Sequence, residues 1–104
     1  MNGIELIAAE RERQITKDGW PPEHDDRHDI GEMKDAAICY LFANGFLTPA
    51  NAPVNDAYWP WPASWWTPSD DPIRNLVKAG ALIAAEIDRL QRAAPAELPG
   101  QEPR

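Results

Sequence analysis

Cysteine is almost missing from this 104-residue chain. Cys39 is the only one, so neither an internal disulfide nor a thiolate zinc site can form. Basic residues are scarce as well, with 10 Lys and Arg against 17 Asp and Glu and a formal charge of -7. That balance has the wrong sign for clamping a phosphate backbone along an extended face, so duplex nucleic acid is excluded as the expected partner. A small anion stays open, because a few local cations outweigh the global field at short range. No apolar run approaches the ~20 residues a membrane span needs, and the opening "MNGIELIAAERERQ" turns polar too soon for a signal peptide. The expectation is a cytoplasmic protein that makes no membrane contact. Glycine-rich phosphate loops and a G-x-S-x-G nucleophile turn are also absent.

What is present is unevenly placed. Residues 36–69 hold no Lys or Arg and one acid, Asp56, so nearly all ionisable chemistry lies in the outer thirds. The chain is long enough for one domain and too short for two independent cores. Three helices are predicted. The first covers about residues 3–18, with Asn2 and Glu5 at capping-box spacing, Ile4, Ile7, Ala8, Arg11 and Ile15 at helical spacing, and Gly19 to stop it. The second covers about 30–44, with Asp29 and Glu32 as a second capping box, Gly45 as the stop, and Ile38 and Phe42 opposite the Met33, Ala36, Ala37, Tyr40, Leu41 face. That pattern predicts burial on two sides.

The third covers about 72–94, with Asp71 as N-cap and Pro72 at the first helical position. Its apolar series Ile73, Leu76, Gly80, Ile83, Ile87 and Leu90 alternates steps of three and four, which is a heptad-like seam. Gly80 invites a close neighbour, and part of the seam is expected to face a second subunit. The expected whole is an all-α domain over residues 1–94. A Trp/Pro-rich connector at 46–70 closes it, and a disordered tail follows at 95–104, "PAELPGQEPR".

The connector carries the most unusual stretch, "YWPWPASWW", with four of the five tryptophans. Pro60 and Pro62 hold their predecessors extended, and prolines at this density exclude regular helix. Two readings compete. The tryptophans either roof a core that three short helices leave open or form a stacking platform for a flat heterocycle. Arg74 and Lys78 follow one turn apart, and Arg13 lies on a second cationic line with Arg11 and Lys17. An aromatic wall beside cations suits a nucleotide, with stacking for the base and charge for the phosphate. The candidate ligand-binding set is therefore Trp20, Trp59, Trp61, Trp65, Trp66, Arg13, Arg74 and Lys78. A solvated cationic face is the structural alternative.

The acidic segment 23–35 holds six carboxylates and both histidines. His28, Glu32 and Asp35 share one helical face if the helix begins a turn early, which makes them candidate metal ligands. The competing explanation is a capping box and favourable acids in a first turn. Cys39, among Ile38, Tyr40 and Phe42, reads as a small core residue.

The stretches "RQITKDGWPPEHDDRHDIGEMKDAA", "WPWPASWW" and "RNLVKAGALIAAEIDRL" together resemble a group of small, mostly uncharacterised proteins encoded by bacteriophages and prophages. That resemblance implies an accessory role in the cytoplasm of a host cell. The run from Glu5 through "GW" to "DD", with the later "DPIR", is similar to the ryanodine-receptor repeat, a helical module that in some settings binds adenine nucleotides. The Glu32-x-x-Asp35 pair resembles half of the metal signature of MazG-type all-α nucleoside triphosphate pyrophosphohydrolases. Glu10 and Glu12, two apart, do not supply the other half. The expected function is non-enzymatic binding of a small nucleotide-like ligand by a homo-oligomer, with sequestration of a host defence signal as its concrete form and no cofactor. The alternatives are a magnesium-dependent pyrophosphohydrolase and an inhibitor that docks onto a host protein through the aromatic strip.

Overall fold

The structure, a computed structural model, describes residues 1–44 and 59–94. The predicted tail, the stop at Gly45 and connector residues 46–58 lie outside the described residues. The regular structure of the described residues is all helical, in four α-helices and one short 3-10 turn: α1 (Gly3–Thr16), α2 (Pro22–Asp25), α3 (Glu32–Phe42), the turn at Ala63–Trp65, and α4 (Pro72–Ala93).

The first capping box forms as its spacing predicts. The Asn2 side chain accepts from the Glu5 N–H at 2.9 Å, and Glu5 accepts from the Asn2 N–H at 3.0 Å. Gly19 turns the chain after α1 at φ 73, a left-handed conformation that costs glycine nothing. The Trp20 N–H then reaches back to the Gln14 carbonyl at 3.0 Å. Trp20 is thereby fixed beside the end of α1. The "PPEHD" segment, with proline at its start, forms a further helical turn, α2, between the first two predicted helices.

The second predicted cap is a correction. Helix α3 starts at Glu32, later than expected, and its N-cap is Gly31 in left-handed geometry with no side-chain cap. Asp29 caps nothing there, and Glu32 turns to other partners. Burial on two sides is a second correction. Met33, Ala36, Ala37, Cys39 and Tyr40 are buried, while Ile38, Leu41 and Phe42 are open. In α1 the buried residues are Glu10 and Gln14, Ile7 and Ile15 are partly buried, and Ile4 is exposed.

Helix α4 is capped as predicted, with Asp71 accepting from the Ile73 N–H at 2.9 Å. It runs antiparallel to α3: Asn44, just past the end of α3, bonds Asn75 in the first turn of α4. The core between them is alanine-rich, with Met33, Ala36, Ala37 and Tyr40 facing Ala79, Leu82 and Ala85. Small side chains let the two helices approach closely but bury little area each. The partly buried Trp20, Trp59, Trp61 and Trp66 pack against this core and supply the missing apolar mass.

The close neighbour at Gly80 belongs to the same chain. A Cβ there would lie 2.6 Å from Ile7 Cδ1 and 2.9 Å from Ile7 Cγ1, so α1 crosses α4 through this gap. At the far end of α4, Arg92 donates to Asp26 at 2.8 Å and to the Pro22 carbonyl at 3.3 Å, tying down α2.

Candidate functional site: a tryptophan-walled cleft

The aromatic strip reaches the helices through a chain of polar ties. Buried Asn75 accepts from the Ser69 N–H at 2.8 Å and donates to the Ser69 carbonyl at 2.7 Å, clamping the backbone just before α4. The Tyr40 hydroxyl accepts from the Thr67 N–H at 3.3 Å. Lys78 Nζ donates to the Thr67 carbonyl at 2.5 Å and lies 5.5 Å from the centre of the Tyr40 ring. Residues 66–69 are thus fixed on the seam between α3 and α4, and the tryptophans before them are directed back over the core.

Those tryptophans form one continuous array. Tyr40 stacks at 4.7 Å on Trp66, which meets Trp59 at 5.0 Å. Trp59 meets Trp61 at 5.5 Å, and Trp61 meets Trp20 edge-on at 4.9 Å, near 90°. His24 and His28 flank Trp20 at 5.2 and 6.2 Å. Edge-to-face pairs set each ring's positive edge against a neighbour's negative face, which fixes orientation as well as contact. Glu32 anchors the middle of the array. Its Oε2 accepts from His28 Nδ1 at 2.6 Å and from Trp61 Nε1 at 3.3 Å.

Between this array and α1 lies a cleft with two chambers. An inner recess of about 60 Å³ is lined by Gln14, Tyr40, Leu82 and the rings of Trp20, Trp59, Trp61 and Trp65, among others. It has room for roughly five waters at ~10–15 Å³ each. Outside it is a wider chamber of about 530 Å³ lined by Arg13, Asp18, Trp20, Trp65, Thr67, Arg74 and Lys78.

Seven of the eight residues picked from the sequence meet here: Trp20, Trp59, Trp61, Trp65, Arg13, Arg74 and Lys78. Trp66 lies behind, packed on Tyr40 and Trp59, and lines neither chamber.

Glu10, nearly sealed from solvent, organises the cations. It accepts from Arg13 at 2.8 and 3.0 Å and from Arg74 at 2.7 Å. Arg13 also donates to Asp18 at 2.9 and 3.1 Å. Burial pushes the Glu10 carboxyl up, but the hydrogen bonds and charges of Arg13 and Arg74 outweigh it and hold the group below its ordinary value. Burial, then the Arg74 charge, lowers the Lys78 ammonium. Three cations against two carboxylates leave the cleft at +1 inside a chain of net charge -7.

Glu10, Gln14, Asp18, Tyr40 and Thr67 were not picked as site residues from the sequence. Glu10 and Arg13 at i, i+3 carry a weak signal of a helical ion pair. Nothing local marks Gln14 or Thr67, which reach the cleft only through the helix crossing.

For the metal candidates, His28 and Glu32 do meet. Among the described residues, however, no group of three or more His, Cys, Asp or Glu side chains gathers closely enough to hold a metal ion, so Asp35 completes no site. Cys39 is fully buried, and burial, reinforced by the Asp35 charge, pushes its thiol up to about 11. It is an inert packing residue. No described helix is long and apolar enough to cross a membrane. No family model, curated protein or solved structure matches the chain.

Proposed function

We propose that the cleft binds a small nucleotide-like ligand, with a heterocyclic base in the inner recess and its phosphate in the outer chamber. The carrying observation is that four tryptophans and three cations, scattered from residue 13 to residue 78, converge on one two-chambered cavity. Ring walls favour a flat π-system of any identity. Arg13 and Arg74 present planar forks, and Lys78 a point charge, where a phosphate would lie. Both arginines already share Glu10, so their orientation is fixed before a ligand arrives and less ordering entropy is lost on binding.

The protein holds the ligand without transforming it. In a phage-borne accessory protein, the use of such binding is sequestration of a host signal. The magnesium-dependent alternative needs carboxylates converging on one point, and its leading candidate, Glu32, is engaged by His28 and Trp61. The protein-docking alternative needs outward rings, and only Trp65 among the tryptophans is substantially exposed, at 40%.

Titration of tryptophan fluorescence with mono-, di- and cyclic nucleotides tests this reading. Quenching that saturates, is competed by salt and is lost in Arg74→Ala is expected. No change across the panel at millimolar ligand, with the protein folded, refutes it.

A further inference from the structure

Among the described residues, most of the heptad-like seam of α4 is left open to solvent. Ile73, Leu76, Ile83, Ile87 and Leu90 are between 41% and 60% exposed, although each is a large aliphatic side chain on the longest of the described helices. At 100° per residue these positions form one stripe. The core residue Leu82 and the cleft residue Lys78 lie on the roughly opposite side of the same helix. Helix α1 meets the stripe at Gly80, where Ile7 fills the gap, and its Leu6 and Ala9 share a hollow with Ile73.

We infer that this stripe is the interface with a second copy of the chain, through antiparallel pairing of α4 with its two-fold mate. The spacing points to a helix as the partner. Steps of three, four, three, four and three keep one seam facing another helix over a length of ~25 Å.

The same steps read identically in both directions, as a two-fold interface requires, because each copy offers the same patch to the other. Antiparallel alignment sets Ile73 opposite the partner's Leu90, Leu76 opposite the partner's Ile87, and Gly80, with Ile7 over it, opposite the partner's Ile83.

Charge supports self-pairing as well. A chain of net charge -7 repels its own copies in general, yet the α4 positions beside the seam are Val77 and Ala79, both buried within the chain, and the more open Ala84, Glu86, Gln91 and Ala93. Glu86, the one charged residue among them, is held by Arg89 at 2.5 Å.

The area is adequate. Five half-exposed aliphatic side chains offer on the order of 400 Å², about half of the ~800 Å² per partner in a standard interface. Ile4, one turn before Ile7, and the exposed Ile38 and Leu41 of α3 are further apolar surface. Because the cleft lies on the other side of α4, such a dimer presents two open clefts facing away from each other.

Sedimentation or light scattering at micromolar concentration tests the assembly, with circular dichroism to follow the fold. The expected mass is twice the 11.6 kDa of the chain. Leu76→Glu and Ile83→Glu, both at exposed positions, are expected to give folded monomers. A monomeric parent, a larger assembly, or a dimer that survives both substitutions overturns the inference.

Single-cysteine cross-linking with copper phenanthroline tests the pairing even if a charged variant misfolds. Ile83→Cys lies near the two-fold axis and is expected to cross-link, whereas Leu90→Cys, near the far end, is not. Efficient cross-linking at Leu90→Cys, or none at Ile83→Cys, overturns the antiparallel pairing.

Discussion

Replacing Glu10 by glutamine should weaken the fold and strengthen the site. The carboxylate accepts three charge-assisted hydrogen bonds of 2.7–3.0 Å from two arginines, and its side chain is only 1% exposed. Breaking a fully buried ion pair costs ~3–5 kcal/mol, and an exposed pair is worth ~0–1 kcal/mol. Here the carboxylate is buried but both arginine side chains are 37% exposed, so water compensates part of the loss. The expected cost at pH 7 is about 2 kcal/mol.

The folded carboxyl titrates below its ordinary value. Its contribution is therefore present above the unfolded pKa of ~4.3 and lost as pH falls through the lower folded value. Urea midpoints of parent and Glu10→Gln measured from pH 7 to 2.5 should converge at the acid end.

The same change takes the cleft from +1 to +2. That favours an anion by about 1 kcal/mol, or roughly fivefold in affinity, and the gain should shrink in high salt. A stability gap that persists unchanged at the lowest pH, or anion binding that weakens while the protein stays folded, would refute this account of Glu10.

Asp25 should show the opposite trend with pH. Burial raises its carboxyl more than the nearby Arg11 lowers it, so its ionisation opposes folding as pH rises through the folded value. Asp25→Asn should cost less at pH 7 than at pH 3, read from denaturant midpoints. Trp61→Ala should cost ~3–5 kcal/mol, because its ring packs on the core and its N–H is held by Glu32. Trp65→Ala, at an exposed position, should cost about 2 kcal/mol or less yet abolish the fluorescence response to nucleotides; equal costs would contradict the cleft geometry. Gly80→Ala should destabilise the parent by about 1 kcal/mol, since overpacking against Ile7 exceeds the gain in helix propensity. In an Ile7→Ala background the same change should stabilise by a similar amount, and additivity in this double-mutant cycle would rule out the contact.

Local rules written into the chain settled much of the architecture. Asn2 with Glu5 and Asp71 with Pro72 mark helix starts by satisfying orphan N–H groups from residues two or three positions away, and both caps form as the spacing predicts. The alternation of α4 is likewise visible in the sequence, because helical periodicity depends on nothing distant. Where local signals conflicted, tertiary contacts decided. Asp29 and Glu32 satisfy the capping pattern, but Glu32 gains more from His28 and Trp61, a partner 29 residues away, and the helix starts later behind a left-handed Gly31.

The cleft shows the same division. Tryptophans between prolines beside cations announced an aromatic and basic surface. Only the crossing of α1 over α4 at Gly80 brings Arg13 to Arg74, buries Glu10 between them and sets Gln14 beside the rings. The pairing of Glu10 with Arg74 spans 64 positions, and no pattern in a single sequence encodes a contact whose partners share no local geometry.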